Sequence, residues 1–315
     1  MTPDLSVVIP IRNESPNIRP LYDELMTTLA ATGRRFEVII IDDGSTDDSF
    51  AQLAALQAAD PRLRVIQFRK NFGQTAGFAA GFAHARGRLV VTSDGDLQND
   101  PRDIEGMVQL LDRDGYDIVA GWRKDRKDTF VNRRLPSIIA NRLISKATGV
   151  ALHDYGCSLK VFRAEIVKQM RLYGEMHRFL PAIAGDLGAR VTEIPVNHRP
   201  RTLGRSKYGL SRTVRVVLDL MTVKFLSDFS TRPIQVFGLL GLLAAGLGGL
   251  LMLVLGFERI FLGMPLADRP IVLLAILLVV IGMQFITFGL LGEMLARTYH
   301  ESQGKPIYVI RDLLA

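Results

Sequence analysis

Two runs without a charged side chain, 233–257 and 271–292, limit what this chain of 315 residues can become. Each is long enough as a helix to cross roughly 30 Å of hydrocarbon. A soluble helix of such length keeps a polar face, and neither run has one. Between them lies a short loop with Glu258, Arg259, Asp268 and Arg269. The expectation is a two-helix transmembrane region over 233–295, followed by a C-terminal tail over 296–315. The stretch before it, His198 to Arg232, carries eight Lys or Arg against Asp219 and Asp228. An excess of positive charge marks the cytoplasmic flank, which puts both termini in the cytoplasm. Within that flank Leu210, Val214, Leu218, Met221 and Phe225 recur at spacings of three and four. This predicts amphipathic juxtamembrane helices over 206–232, lying on the bilayer or packed on the preceding domain.

The first 205 residues have another character. SVVIP, FEVIIID, RVIQF and RLVVTSD are short β-rich runs, and helical patterns around Ile18 to Thr32, Asp47 to Ala59 and Thr75 to Ala85 alternate with them. Alternation of this kind builds βαβ units around a mostly parallel sheet, an α/β domain over 1–205. The apolar run Leu5 to Ile11 is short, holds Pro10 and has no basic region ahead of it, so it reads as a strand and not a signal peptide. Ligands of such sheets bind beyond the carboxyl ends of the strands. The polar residues after each strand are therefore the candidates for chemistry.

A net charge of +7 fits nucleic acid, an anionic membrane or a phosphorylated substrate. The charge gathers beside the apolar runs and in Gly121 to Lys146, where eight basic residues face two acidic ones. No nucleic-acid motif accompanies it, so nucleic acid is excluded as the partner. Cys157 is the single cysteine, which rules out an intrachain disulfide and argues against a cysteine-based zinc site.

RLVVTSDGDLQNDP places Asp94 and Asp96 just after an apolar strand. Two carboxylates one residue apart can face one hard divalent ion, Mg²⁺ or Mn²⁺, and Gln98 can add a carbonyl oxygen. In IIIDDGSTDDS, Asp42 and Asp43 precede Gly44, where capping of the next helix needs no such pair. A hydrogen-bonding role toward a base or ribose suits them. The first loop, PIRNESP, has no G-x-G-x-x-G, which argues against a dinucleotide site. The arginines of Gly121 to Lys146 suit phosphate binding.

VVIPIRNE, IDDGSTD, FRKNFGQTAG, SDGDLQNDP, the GWR at Gly121 to Arg123, RRLPSIIAN, HDYGCSLKVFR and RTLGRSKYG occur in one order along the chain. Together they resemble the family-2 glycosyltransferases of the GT-A fold, on the polyprenyl-phosphate branch with dolichol-phosphate mannose synthases and undecaprenyl-phosphate glucosyltransferases. The resemblance implies a nucleotide-sugar pocket of Pro10, Arg12, Glu14, Asp42, Asp43, Lys70 and Asp94. It implies a metal site of Asp94, Asp96 and Gln98, and phosphate ligands Arg123, Arg133, Arg134, Arg201 and Lys207. Asp154 joins Asp96 in the catalytic set, its role open between base and acceptor positioning; His153 beside it reads as structural and Cys157 as inert packing.

The expected activity is inverting transfer of a hexose from a nucleotide sugar, a UDP-sugar with glucose first, to polyprenyl phosphate at the cytoplasmic face of the inner membrane. Sugar specificity is expected near Trp122 and in GEMHRF, Gly174 to Phe179. The fold's relatives imply a homo-oligomer. A processive polysaccharide synthase of the same fold is a second reading, weakened because Trp122, the sole tryptophan, is not in a Gln-x-x-Arg-Trp context. A non-catalytic scaffold or nucleotide-sugar sensor is a third.

Overall fold

The computed structural model describes residues 2–124, 141–142, 144–145, 148–172, 176–200, 234–267, 269–302 and 307–315. It divides into two compact units, Met1–Val223 with Pro306–Ala315, and Lys224–Lys305.

The first unit is an α/β domain. Strand β1 (Leu5–Ile11), helix α1 (Ser15–Ala31), β2 (Phe36–Asp42), α2 (Ser49–Ala59), β3 (Leu63–Phe68), α3 (Gln74–His84) and β4 (Leu89–Thr92) alternate as the apolar runs predict. There follow α4 (Asp103–Asp114), β5 (Ile118–Trp122), β6 (Lys160–Arg163), α5 (Ala164–Gln169), α6 (Leu180–Asp186) and β7 (Val191–Pro195). The sheet order is β7-β5-β6-β4-β1-β2-β3-β8, with β8 (Ile310–Leu314) from the end of the chain. β1, β2, β3 and β4 are mutually parallel, whereas β6 runs antiparallel between β4 and β5.

The two faces of β1 show how the layers are held. Leu5, Val7, Ile9 and Ile11 point into one buried cluster with Leu21, Leu25 and Leu29 of α1. On the other face α3 lies almost on the backbone, because Gly77 and Gly81 are one helical turn apart. A methyl group on Gly81 would come within 2.0 Å of Val8 Cγ1, and one on Gly77 within 2.7 Å of Pro10 Cβ. Pro10 is tolerated inside the sheet because its missing N–H lies past the end of β4: the last β1–β4 pair is Val8 with Thr92. At the amino ends of the strands, Arg64 Nη1 donates to Glu37 at 3.0 Å, and Glu37 also accepts from the Ser6 hydroxyl and the Arg86 N–H. That buried pair, in which Arg64 Nε has no hydrogen-bond partner, lies at the edge away from the strand ends where a site is expected.

The second unit is a helical hairpin, α7 (Ile234–Phe261) and α8 (Pro270–Ser302). Its helices touch through small residues: a methyl group on Gly282 would meet Ala245 N and Gly241 O at 2.6 Å. Only 22% and 11% of their most apolar windows are buried, so Leu242, Leu253, Leu273 and Met283 face outward. Both helices have the length and composition of membrane spans.

The structure departs from the expected C-terminal tail at its last residues. β8 pairs antiparallel with β3, Val65 opposite Leu314, and covers an edge that would otherwise be open. The juxtamembrane stretch 206–232 lies outside the described residues.

The close approach of α3 to β1 makes a steric prediction. Gly81→Ala lowers the unfolding temperature, at a cost of about 1–3 kcal/mol from overpacking. Gly106→Ala in α4, where nothing stands within 4 Å, gains up to about 1 kcal/mol of helix propensity. Thermal unfolding of the two variants in detergent checks the opposite signs.

Candidate active site

The carboxyl ends of β1 to β4 bring the sequence-derived residues to one edge of the sheet. Two short loops there are stitched together. Asn13, in the left-handed region at φ 55°, donates its backbone N–H to Ser45 Oγ and accepts from Thr46 N at 2.8 Å. Glu14 N–H donates to Ser49 Oγ, while Glu14 Oε2 accepts from Asn17 Nδ2 at 2.6 Å. Gly44 is required at φ 66°, since a methyl group there would meet the Lys70 carbonyl carbon at 2.5 Å.

Asp42 and Asp43 do internal work at this edge. Asp42 is fully buried and accepts from Ser45 N and Gln67 Nε2. Asp43 accepts from Phe72 N at 2.6 Å, Gly73 N at 2.9 Å and Asn71 Nδ2 at 2.9 Å. Burial raises the Asp43 carboxyl above its usual range, against those hydrogen bonds and the nearby Arg12 charge. A carboxylate with about four lone-pair sites has capacity beyond the three donors it holds. Arg12 and Lys70 are exposed beside it, Lys70 Nζ lying over the Phe72 ring at 5.2 Å.

Asp94 and Asp96 follow β4. Burial raises the Asp94 carboxyl first, the Asp96 charge adds to it, and the Ser158 hydroxyl, Arg123 and Lys160 oppose the rise. Gln74 Nε2 donates to Asp94 Oδ1 at 2.7 Å, and Gln98 N–H to Asp96 Oδ1 at 3.2 Å. Leu97 between them sits at φ 62°, a conformation that costs a bulky residue about 1–3 kcal/mol. Strain of that size is retained where a loop must hold its side chains in one arrangement. The Gln98 amide nitrogen donates to the Arg199 carbonyl, which leaves the amide oxygen as the end it can offer a cation. Among the described residues no three His, Cys, Asp or Glu side chains cluster. An oxygen-only set with two carboxylates fits Mg²⁺ or Mn²⁺ completed by phosphate and water, and does not fit zinc.

Arg123 and Asp154 form the rigid centre of the other side. Arg123 Nε donates to Asp154 Oδ2 at 2.7 Å and Nη2 to Oδ1 at 2.9 Å, both side chains being largely buried. The Arg123 and Gly156 backbone N–H groups also donate to Asp154. Burial works against the Arg123 charge, but Asp154 more than compensates and holds the guanidinium protonated. The Asp154 side chain is thus engaged by the Arg123 guanidinium and by two backbone N–H groups.

Lys160 is the residue that sequence reasoning missed. It stands on β6, 2% exposed, with Nζ donating to the Cys157 carbonyl, and burial pulls its pKa down while Asp154 and Asp94 hold it up. The available signal was a lysine flanked by apolar residues in the run LKVF, Leu159 to Phe162. Thr75 was missed too. His177 Nδ1 lies 3.0 Å from its hydroxyl, and Gln74 next to it holds Asp94. The Met176–Arg178 part of the expected sugar-specificity stretch is therefore held at the amino end of α3, the helix whose Gln74 reaches Asp94. His153 stacks on Trp122 with ring centroids 4.4 Å apart and is held by Glu193, a packing arrangement. Cys157 is fully buried and its thiol pKa is raised by burial. Arg133, Arg134, Arg201 and Lys207 lie outside the described residues.

Replacing Asp154 separates positioning from base catalysis. Asp154→Asn leaves a buried guanidinium uncompensated and lowers fold stability by about 3 kcal/mol. A base in a solvated cleft, once replaced, would lower turnover and leave the unfolding temperature unchanged.

Comparison with known proteins identifies the family and the fold. Residues 6–171 match Glycosyl transferase family 2. Dodecaprenyl-phosphate galacturonate synthase of Rhizobium johnstonii is 46% identical over 98% of this chain and 93% of its own length. Undecaprenyl-phosphate 4-deoxy-4-formamido-L-arabinose transferase of Klebsiella pneumoniae is 38% identical over 98% and 92%. Among solved structures, glucosyl-3-phosphoglycerate synthase of Mycobacterium tuberculosis, in complex with Mn²⁺ and UDP-glucose, superposes with a TM-score of 0.53. It covers 70% of this chain and 79% of its own at 18% identity, a likeness of fold. Mannosyl-3-phosphoglycerate synthase of Rubrobacter xylanophilus gives 0.55 over 72% and 75%, at 18% identity. With its mostly parallel GT-A sheet and two apolar C-terminal helices, the chain belongs to glycosyl transferase family 2 as a glycosyltransferase, among relatives named for polyprenyl-phosphate sugar transfer.

Proposed function

We propose that the enzyme transfers one sugar from a nucleotide sugar to polyprenyl phosphate, with inversion at the anomeric carbon. The observation that carries this is the acidic pair at the end of β4 set against the Arg123–Asp154 fork, in a chain that also bears two long apolar helices. A lipid acceptor needs a catalytic domain tied to the bilayer, while the donor arrives from water.

In the proposed reaction a phosphate oxygen of the acceptor attacks the anomeric carbon as the bond to the nucleoside diphosphate breaks. The diphosphate leaves with the electron pair, and the product is a sugar phosphodiester of the lipid. The attacking oxygen is already anionic near neutral pH, so no proton need be taken from it. That suits Asp154, whose oxygens are occupied by Arg123. Arg123 presents its guanidinium to phosphate, and Arg133, Arg134, Arg201 and Lys207 are proposed as further phosphate ligands. Pro10, Arg12, Glu14, Asp42, Asp43 and Lys70 are proposed to line the nucleotide pocket, Asp42 through the loop it holds. Asp94, Asp96 and Gln98 would hold a divalent ion, which when bound offsets the charge of the leaving diphosphate.

The donor proposal shifts from the glucose expected of the sequence. The relative at 46% identity is named for galacturonate and the one at 38% for 4-deoxy-4-formamido-L-arabinose. A UDP-linked galacturonate is accordingly placed first, the modified arabinose second and glucose third. The catalytic domain and both ends of the chain are proposed to be cytoplasmic, since 307–315 rejoins the unit that contains the N-terminal strand.

The test is transfer of radiolabelled sugar from each of the three UDP-sugars to undecaprenyl phosphate by the full chain. Lipid-linked product with one donor, and a loss of about a hundredfold or more in Asp96→Ala, are expected. Full transfer by Asp96→Ala, or no product with any donor, contradicts the proposal.

A further inference from the structure

We propose that Tyr308, just ahead of β8, is a positioning residue for the donor-side loop 69–73. The loop leaves β3 at Phe68 and is the one that Asp43 holds through Asn71, Phe72 and Gly73. The end of the chain grips its base. Arg69 N–H donates to the Val309 carbonyl at 3.0 Å, at a register shift between Gln67 and Phe68. The Tyr308 ring stacks on Phe68 with centroids 5.2 Å apart and planes 15° from parallel. Phe68 in turn meets Phe72 edge-on at 5.7 Å.

The contacts are contiguous from Tyr308 to the acidic pair. Tyr308 packs on Phe68, Phe68 on Phe72, and the Phe72 N–H donates to Asp43. One residue past Gly73, Gln74 donates to Asp94. Covering the β3 edge needs only the ladder from Ile310 to Leu314. The aromatic stack lies beyond that ladder, at the loop, and a stacked or edge-on ring pair restricts the rotamers of both partners. The inference rests on the donor reading above for its kinetic consequence, and on contacts alone for its structural one.

The experiment compares Tyr308→Ala, Tyr308→Phe and Leu314→Ala in the full chain, reading amide hydrogen exchange without substrate and KM for each substrate. Leu314 pairs with Val65 at the far end of β8 and packs on the core. Tyr308→Ala is expected to speed exchange selectively in 69–73 and to raise the KM for the UDP-sugar about three- to tenfold. The KM for polyprenyl phosphate stays unchanged, and Tyr308→Phe, which keeps the ring, behaves as wild type. Leu314→Ala lowers the unfolding temperature with neither effect. Unchanged exchange in 69–73, or an equal change in Leu314→Ala, overturns the positioning role. Faster exchange with an unaltered donor KM overturns its link to the donor, while a wild-type chain that transfers no sugar overturns the function together with that link.

Discussion

Five charged groups share the low-dielectric end of this sheet: Asp94, Asp96 and Asp154 against Arg123 and Lys160. Taking one ion out of water costs several kcal/mol, about as much as many folded domains can spare. The cluster persists because most of its members are compensated. Arg123 and Asp154 satisfy one another through two side-chain hydrogen bonds, and Lys160 is held by the Cys157 carbonyl. Three carboxylates face two cations, so the remaining negative charge falls on the acidic pair, where burial and mutual repulsion raise Asp94. The divalent cation proposed for this site would offset that charge.

The rest of the domain can be understood as the scaffold that holds those charges. Strands buried on both faces leave their polar side chains little room except at the ends. The amino ends are closed by the buried Glu37–Arg64 pair. The carboxyl ends carry the loops that Asn13, Asp42 and Asp43 knit together. Glycines on α3 let the helix sit close on β1, which places its amino end, with Gln74 and Thr75, beside Asp94. Leu97 in the left-handed region is the local cost of presenting Asp96 and Gln98 around one turn.

Local pattern made much of this legible. Val38 to Ile41 is apolar throughout, so β2 had to be an interior strand, and the acids after it had to lie at the ligand edge. β1 to β4 and their helices follow from the same alternation. What the pattern hides is pairing between distant segments. β6 is four residues, and nothing local says that it inserts antiparallel between β4 and β5, carrying Lys160 to Asp94. IRDLL at the chain end is too short and too charged to announce a strand, because its partner edge on β3 is more than two hundred residues away in sequence. The Arg123–Asp154 fork joins β5 to a loop ahead of β6. Sequence named both residues without revealing that each fixes the other.

The most direct measurement is Mn²⁺ binding to the full chain by isothermal titration calorimetry, compared with Asp94→Asn/Asp96→Asn. The account predicts saturable binding by the wild type and none by the double variant, with both proteins folded. Equal binding by the two would contradict the claim that the acidic pair is the cation site.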